Sequence, residues 1–248
     1  MQHHFLDPVH SLPRLYVVGD FVLNQTFLLS DAHAHYLRHV LRRGDASMLR
    51  VFNPEQGEFL TRLKHVGKKE VGVTVLEMLR PAAAHLRHIH LFFAPLKKDK
   101  MDFLIEKAVE LGVTDLHPVL FQRGIVREVK VERINAQIIE AAEQCERMDI
   151  PVLHPLLPLL KVAQHWDASL PLLAALERGD YPCMSEVVVG CESDIGYLVG
   201  PEGGITPEEV LQLLNIKSIH LVSLGARILR AETAALYGLS LLDAARAA

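Results

Sequence analysis

The sequence predicts an α/β protein in which a small β-rich domain precedes a larger domain built on a parallel sheet. The first part of the chain contains several short strand-like runs and one helix. Residues 80–85 then combine proline, alanine and charge, which indicates a linker. Beyond them, apolar runs alternate with amphipathic helices, the pattern of a parallel sheet with helices on both faces.

The composition indicates a globular protein with ample core and no global preference for nucleic acid. Of the 248 residues, 50% are hydrophobic, and the net charge is -4. RNA binding would therefore require a local basic patch. No apolar run is long enough to cross a membrane, and the start of the chain lacks a signal-peptide pattern, so we expect a cytoplasmic protein. Cys145, Cys183 and Cys191 lack metal-ligand spacing; we expect reduced thiols and no metal.

The elements of the first domain suggest a small β-barrel. Ser30 and Asp31 can cap a helix over residues 32–41, which ends in a cationic turn before Gly44. The predicted strands, separated by turn residues, cover residues 14–17, 22–29, 47–53, 58–66 and 70–79.

This domain also concentrates basic side chains. Arg38 and Arg42 are four residues apart and would share one helix face. One interpretation is a solvated cationic face, and the other is contact with RNA phosphates. Arginine concentrated in an otherwise acidic chain favours RNA. The group comprises Arg14, His35, Arg38, His39, Arg42, Arg43 and Arg50.

The second domain reads as alternating strands and helices. Strands are predicted over residues 89–94, 113–120, 171–176, 197–199 and 218–222. Helices are predicted over residues 101–111, 131–147, 157–166, 206–215 and 231–247.

The best candidate for a site is a pair of glycine-bearing segments, residues 198–209 and 223–234. In the first, Gly203 and Gly204 can adopt positive φ and let a ligand approach the backbone. Phosphate-loop and dinucleotide patterns are absent, and Glu202 would repel a phosphate. A neutral or cationic ligand fits better, and S-adenosylmethionine meets that condition without being demanded by it.

The second segment places the apolar pair Ile228 and Leu229 in a loop, where an adenine ring could cover them. Arg227 and Arg230 flank the pair and could hold an anionic partner. Glu232 stands where a carboxylate offsets the dipole of the last helix. The alternative is that each charge is an ordinary cap or surface pair.

Together these motifs resemble the RsmE family of the SPOUT superfamily, which methylates N3 of uridine in ribosomal RNA. The resemblance covers most of the chain. It is carried by Gly-Pro-Glu-Gly-Gly at 200–204, the block at 224–234, Ala-Glu-Gln-Cys-x-Arg at 142–147, the lysine-rich block at 98–112 and the helix at 35–42. Departures include Ala226 where the family usually has proline, and Glu146 where it usually has glycine.

The resemblance implies a PUA-like β-barrel RNA-binding domain over residues 1–83. It further implies a SPOUT methyltransferase domain over residues 84–248, with a parallel sheet and a deep C-terminal trefoil knot. It implies S-adenosylmethionine as cofactor, 16S rRNA or the small ribosomal subunit as partner, and a homodimer.

The resemblance also assigns roles to residues. Arg230 would stabilise charge on the uracil, and Glu232 is the nearest carboxylate that could act as base. The cofactor would contact Leu176, Val199, Gly200, Glu202, Gly203, Leu224, Gly225, Ile228 and Leu229. RNA would contact Arg14, Arg38, Arg42, Arg123, Gln144, Arg147 and Arg227.

Two alternatives stay open. A SPOUT enzyme acting on another RNA would keep the cofactor pocket and change the base pocket. A non-catalytic RNA-binding assembly factor would keep the fold and lose affinity for the cofactor.

Overall fold

The computed structural model describes residues 8–66, 70–82, 87–189 and 193–246. The contacts between residues divide the chain into two compact units. Unit 1 takes up Met1–Ala84 with Glu143–Asp149, and unit 2 takes up His85–Ala142 with Ile150–Ala248. The predicted boundary at 83/84, the start of the chain and Cys191 lie outside the described residues, and Cys145 and Cys183 are free thiols.

Unit 1 contains one five-stranded sheet in the order β1-β3-β4-β5-β2. β1 pairs with β3 in parallel, and the other neighbours are antiparallel. Alternate side chains of these strands form one apolar cluster with Val17, Phe21 and Leu37. All five predicted strands are confirmed, the second in shortened form: β1 (Arg14–Tyr16), β2 (Thr26–Leu28), β3 (Met48–Asn53), β4 (Gly57–His65) and β5 (Val71–Pro81).

The predicted helix over residues 32–41 is present but changes type along its length. Ser30 caps α1 (Asp31–His35) by accepting a hydrogen bond from the backbone of His33. A π-helical turn follows over Tyr36–Val40, and Arg42 then adopts a left-handed φ of 50°. Arg42 therefore lies beyond the helix, and the expected α-helical face shared by Arg38 and Arg42 does not form.

A buried carboxylate at the start of β4 organises the polar part of unit 1. Glu58 is 1% exposed, and its Oε1 accepts from Arg14 Nε at 2.9 Å and from Arg50 Nη1 at 3.3 Å. Its other oxygen pairs with Arg80. A charge buried this deeply is tolerated because several guanidinium groups compensate it.

Residues 143–149 belong to unit 1 although they are far from its other residues in the sequence, because hydrogen bonds connect them to it. Glu143 Oε1 accepts from the backbone N of Tyr16 at 2.8 Å, and Arg14 Nη2 donates to the carbonyl of Arg147 at 2.6 Å. Glu146 pairs with Arg50 at 2.7 Å and adopts a left-handed φ of 60°. The predicted boundary at 83/84 places this segment in the second domain. Hydrogen bonds between residues more than 100 positions apart, such as that of Glu143 with Tyr16, leave no local signal in the sequence.

Unit 2 contains the predicted alternation of strands and helices. Three elements were not predicted: the short strand β8, the helix α5, and the short strand β9, which takes the first two residues of the predicted helix over residues 157–166. The elements are β6 (Ile89–Phe93), α2 (Lys98–Glu110), β7 (Asp115–Leu120), α3 (Val131–Gln144), β8 (Val152–Leu153), β9 (Leu157–Pro158), α4 (Leu159–His165), β10 (Leu172–Ala175), α5 (Met184–Val187), β11 (Ile195–Val199), α6 (Pro207–Leu213), β12 (Ile219–Val222) and α7 (Ala231–Arg246).

The seven strands of unit 2 form one parallel sheet in the order β12-β10-β11-β6-β7-β8, with β9 also pairing with β7. Neighbouring residues of β11 show that helices cover both faces. The hydroxyl of Tyr197 donates to the carbonyl of Ala234 in α7, whereas Leu198 packs with residues of α4 and α6. Successive strand residues point to opposite faces of the sheet, so these contacts place helices on both faces. The predicted α/β fold with a parallel sheet is confirmed.

Among the described residues, none of the helices combines the length and apolar character needed to cross a bilayer.

Candidate active site

A cavity of about 540 Å³ lies at the carboxyl ends of β10 and β11, beside the loop that follows β12. This is the edge of a parallel sheet at which ligands usually bind, because the loops there leave backbone groups exposed. The volume falls within the range of roughly 300–1,000 Å³ occupied by small-molecule sites. Ala175, Val199 and Leu224 lie where the three strands meet the cavity.

The structure brings the expected cofactor residues together around this cavity. The loops that follow β10, β11 and β12 all contribute, although they come from distant parts of the sequence. The lining includes Leu176, Val199, Gly200, Glu202, Leu224, Gly225, Ile228 and Leu229. Gly203 is not among the residues that line the cavity. It packs against Arg123 instead, and a Cβ at this position would lie 2.9 Å from Arg123 Cβ.

The glycines in the two loops serve different purposes. Gly204 and Gly225 have φ of 76° and 105°, a backbone conformation that favours glycine. Gly203 is not in this region, so the expectation of positive φ holds for Gly204 alone of that pair. Gly203 instead permits the close approach of Arg123, whose Nη1 donates to the Gly203 carbonyl at 3.2 Å.

A capping box holds one wall of the cavity in place. Thr206 Oγ1 accepts from the backbone N of Glu209 at 3.2 Å, and Glu209 Oε2 accepts from the backbone N of Thr206 at 2.9 Å. Glu209 Oε1 also accepts from the backbone N of Gln122 at 2.7 Å, which ties the loop carrying Arg123 to the start of α6.

Lys100 is a site residue to which the sequence reasoning gave no role. Its Nζ lies 2.9 Å from Glu202 Oε1 and 3.5 Å from Glu232 Oε1. Burial raises the pKa of Glu202, but the hydrogen bond from Lys100, a backbone hydrogen bond and the charges of Lys100 and Lys97 together outweigh burial, so the pKa lies below its usual range. The lysine-rich motif at 98–112 contained this residue, but only the fold places it beside carboxylates over 100 residues away.

The two expected catalytic residues occupy different environments. Arg230 is exposed and lines the cavity. Glu232 is 9% exposed and lies outside the lining, and its ion-pair partner is Lys100 rather than Arg230. Its Oε2 is buried without a hydrogen-bond partner. A buried carboxylate oxygen left unpaired is unusual and is compatible with a functional role.

The cavity carries more positive than negative charge. Four arginines line it, namely Arg123, Arg178, Arg227 and Arg230, against the two carboxylates Glu177 and Glu202. Lys100 further offsets the charge of Glu202. An anionic macromolecule would therefore be attracted to the open side of this site.

The structure corrects the expected role of Arg14. Its side chain is 2% exposed, it pairs with Glu58, and its guanidinium carbon lies 3.4 Å from the centroid of the Phe52 ring. Arg50, from the same basic group, is also buried. Both guanidinium groups belong to the interior of unit 1, because burying Glu58 requires cationic partners.

The remaining expected RNA contacts differ in accessibility. Arg42, Arg123, Gln144 and Arg227 are exposed. Arg38 is partly buried and donates to the carbonyl of Glu70 at 3.0 Å. Arg147 is also partly buried, and its Nε donates to Asp149 Oδ1 at 3.0 Å.

Comparisons with known proteins identify the family of this chain. Residues 83–243 match a family described as an RNA methyltransferase domain. A ribosomal RNA small subunit methyltransferase E from Rickettsia conorii is 33% identical over 224 residues, which cover 90% of this chain and 91% of the relative. The protein of the same name from Bacillus subtilis is 28% identical, covering 88% of this chain and 90% of the relative.

Solved structures show the same likeness. The crystal structure of a ribosomal RNA small subunit methyltransferase E from Neisseria gonorrhoeae, bound to S-adenosyl methionine, superposes with a TM-score of 0.82. It is 28% identical, and the match covers 94% of this chain and 97% of that one. The chain therefore belongs to the ribosomal RNA small subunit methyltransferase E family, RsmE, with its RNA methyltransferase domain over residues 83–243.

Proposed function

We propose that this protein transfers a methyl group from S-adenosylmethionine to N3 of a uridine in 16S rRNA of the small ribosomal subunit. The observation that carries the proposal is the cavity of about 540 Å³ formed by the glycine loops of an RsmE-family chain. The names of the relatives and the cofactor in the Neisseria gonorrhoeae structure support the same activity.

The residues present fit S-adenosylmethionine. Ile228 is 62% exposed in the cavity wall, and an adenine ring would cover it. The backbone around Gly225 is open, because a Cβ there would meet nothing within 4 Å. The carboxylates of Glu177 and Glu202 lie in the lining and offset part of the positive charge of its arginines. When bound, S-adenosylmethionine supplies the methyl group from its positively charged sulfur.

The chain must also activate a poor nucleophile. Uracil N3 carries a proton, and its removal leaves negative charge on N3 and the two carbonyl oxygens. Arg230 lines the cavity and would stabilise that charge, while Arg227 would hold RNA phosphate or the base. The unpartnered Oε2 of Glu232 would accept the proton, with Lys100 orienting the carboxylate through Oε1. N3 lies on the pairing edge, so the target uridine must be unpaired or flipped out.

The two units would divide the work of binding RNA. We assign residues 1–83 to a PUA-like RNA-binding domain and residues 84–248 to the SPOUT methyltransferase domain. Arg42, Arg123, Gln144 and Arg227 are exposed and suit RNA contact. Arg38 and Arg147 would contact RNA only by exchanging their present partners, and Arg14 is withdrawn from this surface.

The proposal includes a deep C-terminal trefoil knot and a homodimer in the cytoplasm. The loop after β10 bonds to the loop after β12: the backbone N of Met184 donates to Ser223 O, and that of Ser223 to Pro182 O, both at 2.9 Å. This contact between the two loops supports the proposed knot, in which the loops of the cofactor site lie against one another. Sedimentation equilibrium of the purified chain would test the dimer.

Product analysis tests the reaction. Small-subunit RNA from a strain lacking the enzyme would be incubated with protein and labelled cofactor, then digested to nucleosides. We expect label in 3-methyluridine. Label in another nucleoside, such as a 2′-O-methylated one, would assign the site to a different RNA target. No calorimetric binding of S-adenosylmethionine would favour the non-catalytic assembly factor.

Two variants test the assigned roles against a matched control. Arg230→Ala should lower turnover by about 10²–10³-fold, typical for loss of a charge-stabilising donor, while keeping most cofactor affinity. Glu232→Gln should lower turnover and make it less sensitive to pH. Lys217→Ala changes an exposed cation outside the cavity lining and should leave both quantities unchanged. Full turnover in Arg230→Ala would reject its assignment.

A further inference from the structure

Unit 2 carries a second cluster of reactive side chains, formed by histidines on adjacent parallel strands. His90 of β6 is in register with Asp115 of β7, and His117 lies two residues further along β7. Residues two apart share one face of a strand, so these three side chains project from the same side of the sheet. None of them lines the cofactor cavity.

The donor atoms converge. His90 Nδ1 lies 3.1 Å from His117 Nε2 and 3.6 Å from Asp115 Oδ2. The donor atoms of the three residues all lie within 4.8 Å of one another. Ligands at metal–nitrogen distances of about 2.0–2.1 Å are separated by roughly 3–3.5 Å in a tetrahedral shell, close to the spacing seen here.

Neighbouring groups hold these donors in position. Asp115 Oδ1 lies 2.7 Å from His154 Nε2, and its Oδ2 accepts from Thr114 Oγ1 at 2.8 Å. The His117 ring stacks on Phe92 and on His154, with centroids 4.3 Å and 3.9 Å apart. Partners that orient the coordinating side chains are a regular feature of metal sites.

We propose that His90, Asp115 and His117 bind one divalent transition-metal ion of the zinc class, linking β6 to β7. Imidazole nitrogens select zinc, cobalt, nickel or copper over magnesium and calcium. Three protein ligands leave a fourth position for water or for His88, whose Nδ1 lies 3.4 Å from Asp115 Oδ2. The sequence expectation of no metal rested on the cysteines, whereas this site is built from histidines. The competing state is a hydrogen bond between the two rings, with no affinity for metal.

The test uses the full-length chain without an affinity tag, stripped of metal with a chelator. Cobalt(II) would be titrated while the visible d–d absorption is recorded. We expect saturation at one ion per chain, displacement of cobalt by zinc, and a higher Tm with zinc. A spectrum lacking d–d absorption, or a Tm unchanged by zinc, would overturn the site.

Variants identify the ligands. His117→Gln should weaken cobalt binding by at least about tenfold, because it removes a direct ligand. His220→Gln changes an exposed histidine on β12 and should bind as the wild type does. Circular dichroism and cofactor binding would confirm that His117→Gln is folded; otherwise His90→Gln serves as the second ligand variant. Equal cobalt affinity in a folded ligand variant and the control would reject this cluster as the site.

Discussion

Replacing Glu58 with glutamine should destabilise unit 1 more than any change of an exposed charge. The side chain keeps its shape but loses its negative charge. The buried guanidinium group of Arg14 is then poorly compensated, and that of Arg50 keeps only the carboxylate of Glu146. At an effective dielectric constant of about 20, unit charges about 3 Å apart attract by roughly 5–6 kcal/mol. Desolvation offsets part of this attraction, and removing one partner of a buried pair typically costs about 3–5 kcal/mol.

That loss is large beside a total domain stability of about 5–15 kcal/mol. Urea unfolding followed by circular dichroism would measure it, and hydrogen exchange of peptides from β3, β4 and β5 would localise it. Glu77→Gln, which changes an exposed carboxylate on β5, should shift the unfolding free energy by less than about 0.5 kcal/mol.

A second variant separates charge from packing. Replacing Glu58 and Arg14 together with leucine and methionine removes both members of one buried pair, so part of the lost stability should return. A loss below about 1 kcal/mol for Glu58→Gln alone would refute the reasoning, because the guanidinium groups would then not depend on this carboxylate.

Three further changes test packing, hydrogen bonding and backbone strain, each within a single unit. Gly238→Ala should destabilise by about 1–3 kcal/mol, although alanine favours helices, because its Cβ would lie 2.2 Å from the Tyr197 ring; an increase in Tm would contradict this. Tyr197→Phe removes the buried hydrogen bond to the Ala234 carbonyl and should cost about 1 kcal/mol in urea unfolding, whereas no change would mean that the bond adds nothing. Ala46→Gly should stabilise by about 0.5–1 kcal/mol, because Ala46 is exposed at a φ of 63°; a lower urea midpoint would show that this backbone is unstrained.

Local patterns were sufficient where the physical cause is local. The strands over residues 47–53 and 218–222 and the cap at Ser30 were predicted because alternation, β-branching and capping act within a few residues. The helix at 32–41 was predicted in position but not in type. Its π-helical turn contains Leu37, which is buried in the core of unit 1 among residues from distant strands.

The candidate site was predictable in its loops but not in its charges. The glycines at 200–204 and 224–225 mark places where the backbone turns beside a ligand, and such turns leave a readable motif. The ion pairs of Lys100 leave none, because its partners lie far along the chain. Arg14 was misassigned for the same reason, since its partner Glu58 is on another strand.

By itself, the sequence determined the order of strands and helices, the family and the loops that surround the cavity. These follow from hydrophobic periodicity, turn chemistry and contiguous motifs, all of which are properties of neighbouring residues. The tertiary structure decided which charges are buried, that Lys100 reaches Glu202 and Glu232, and that His90 and His117 converge. Those contacts arise from strand pairing and packing between distant segments, and no local rule on residue type contains that information.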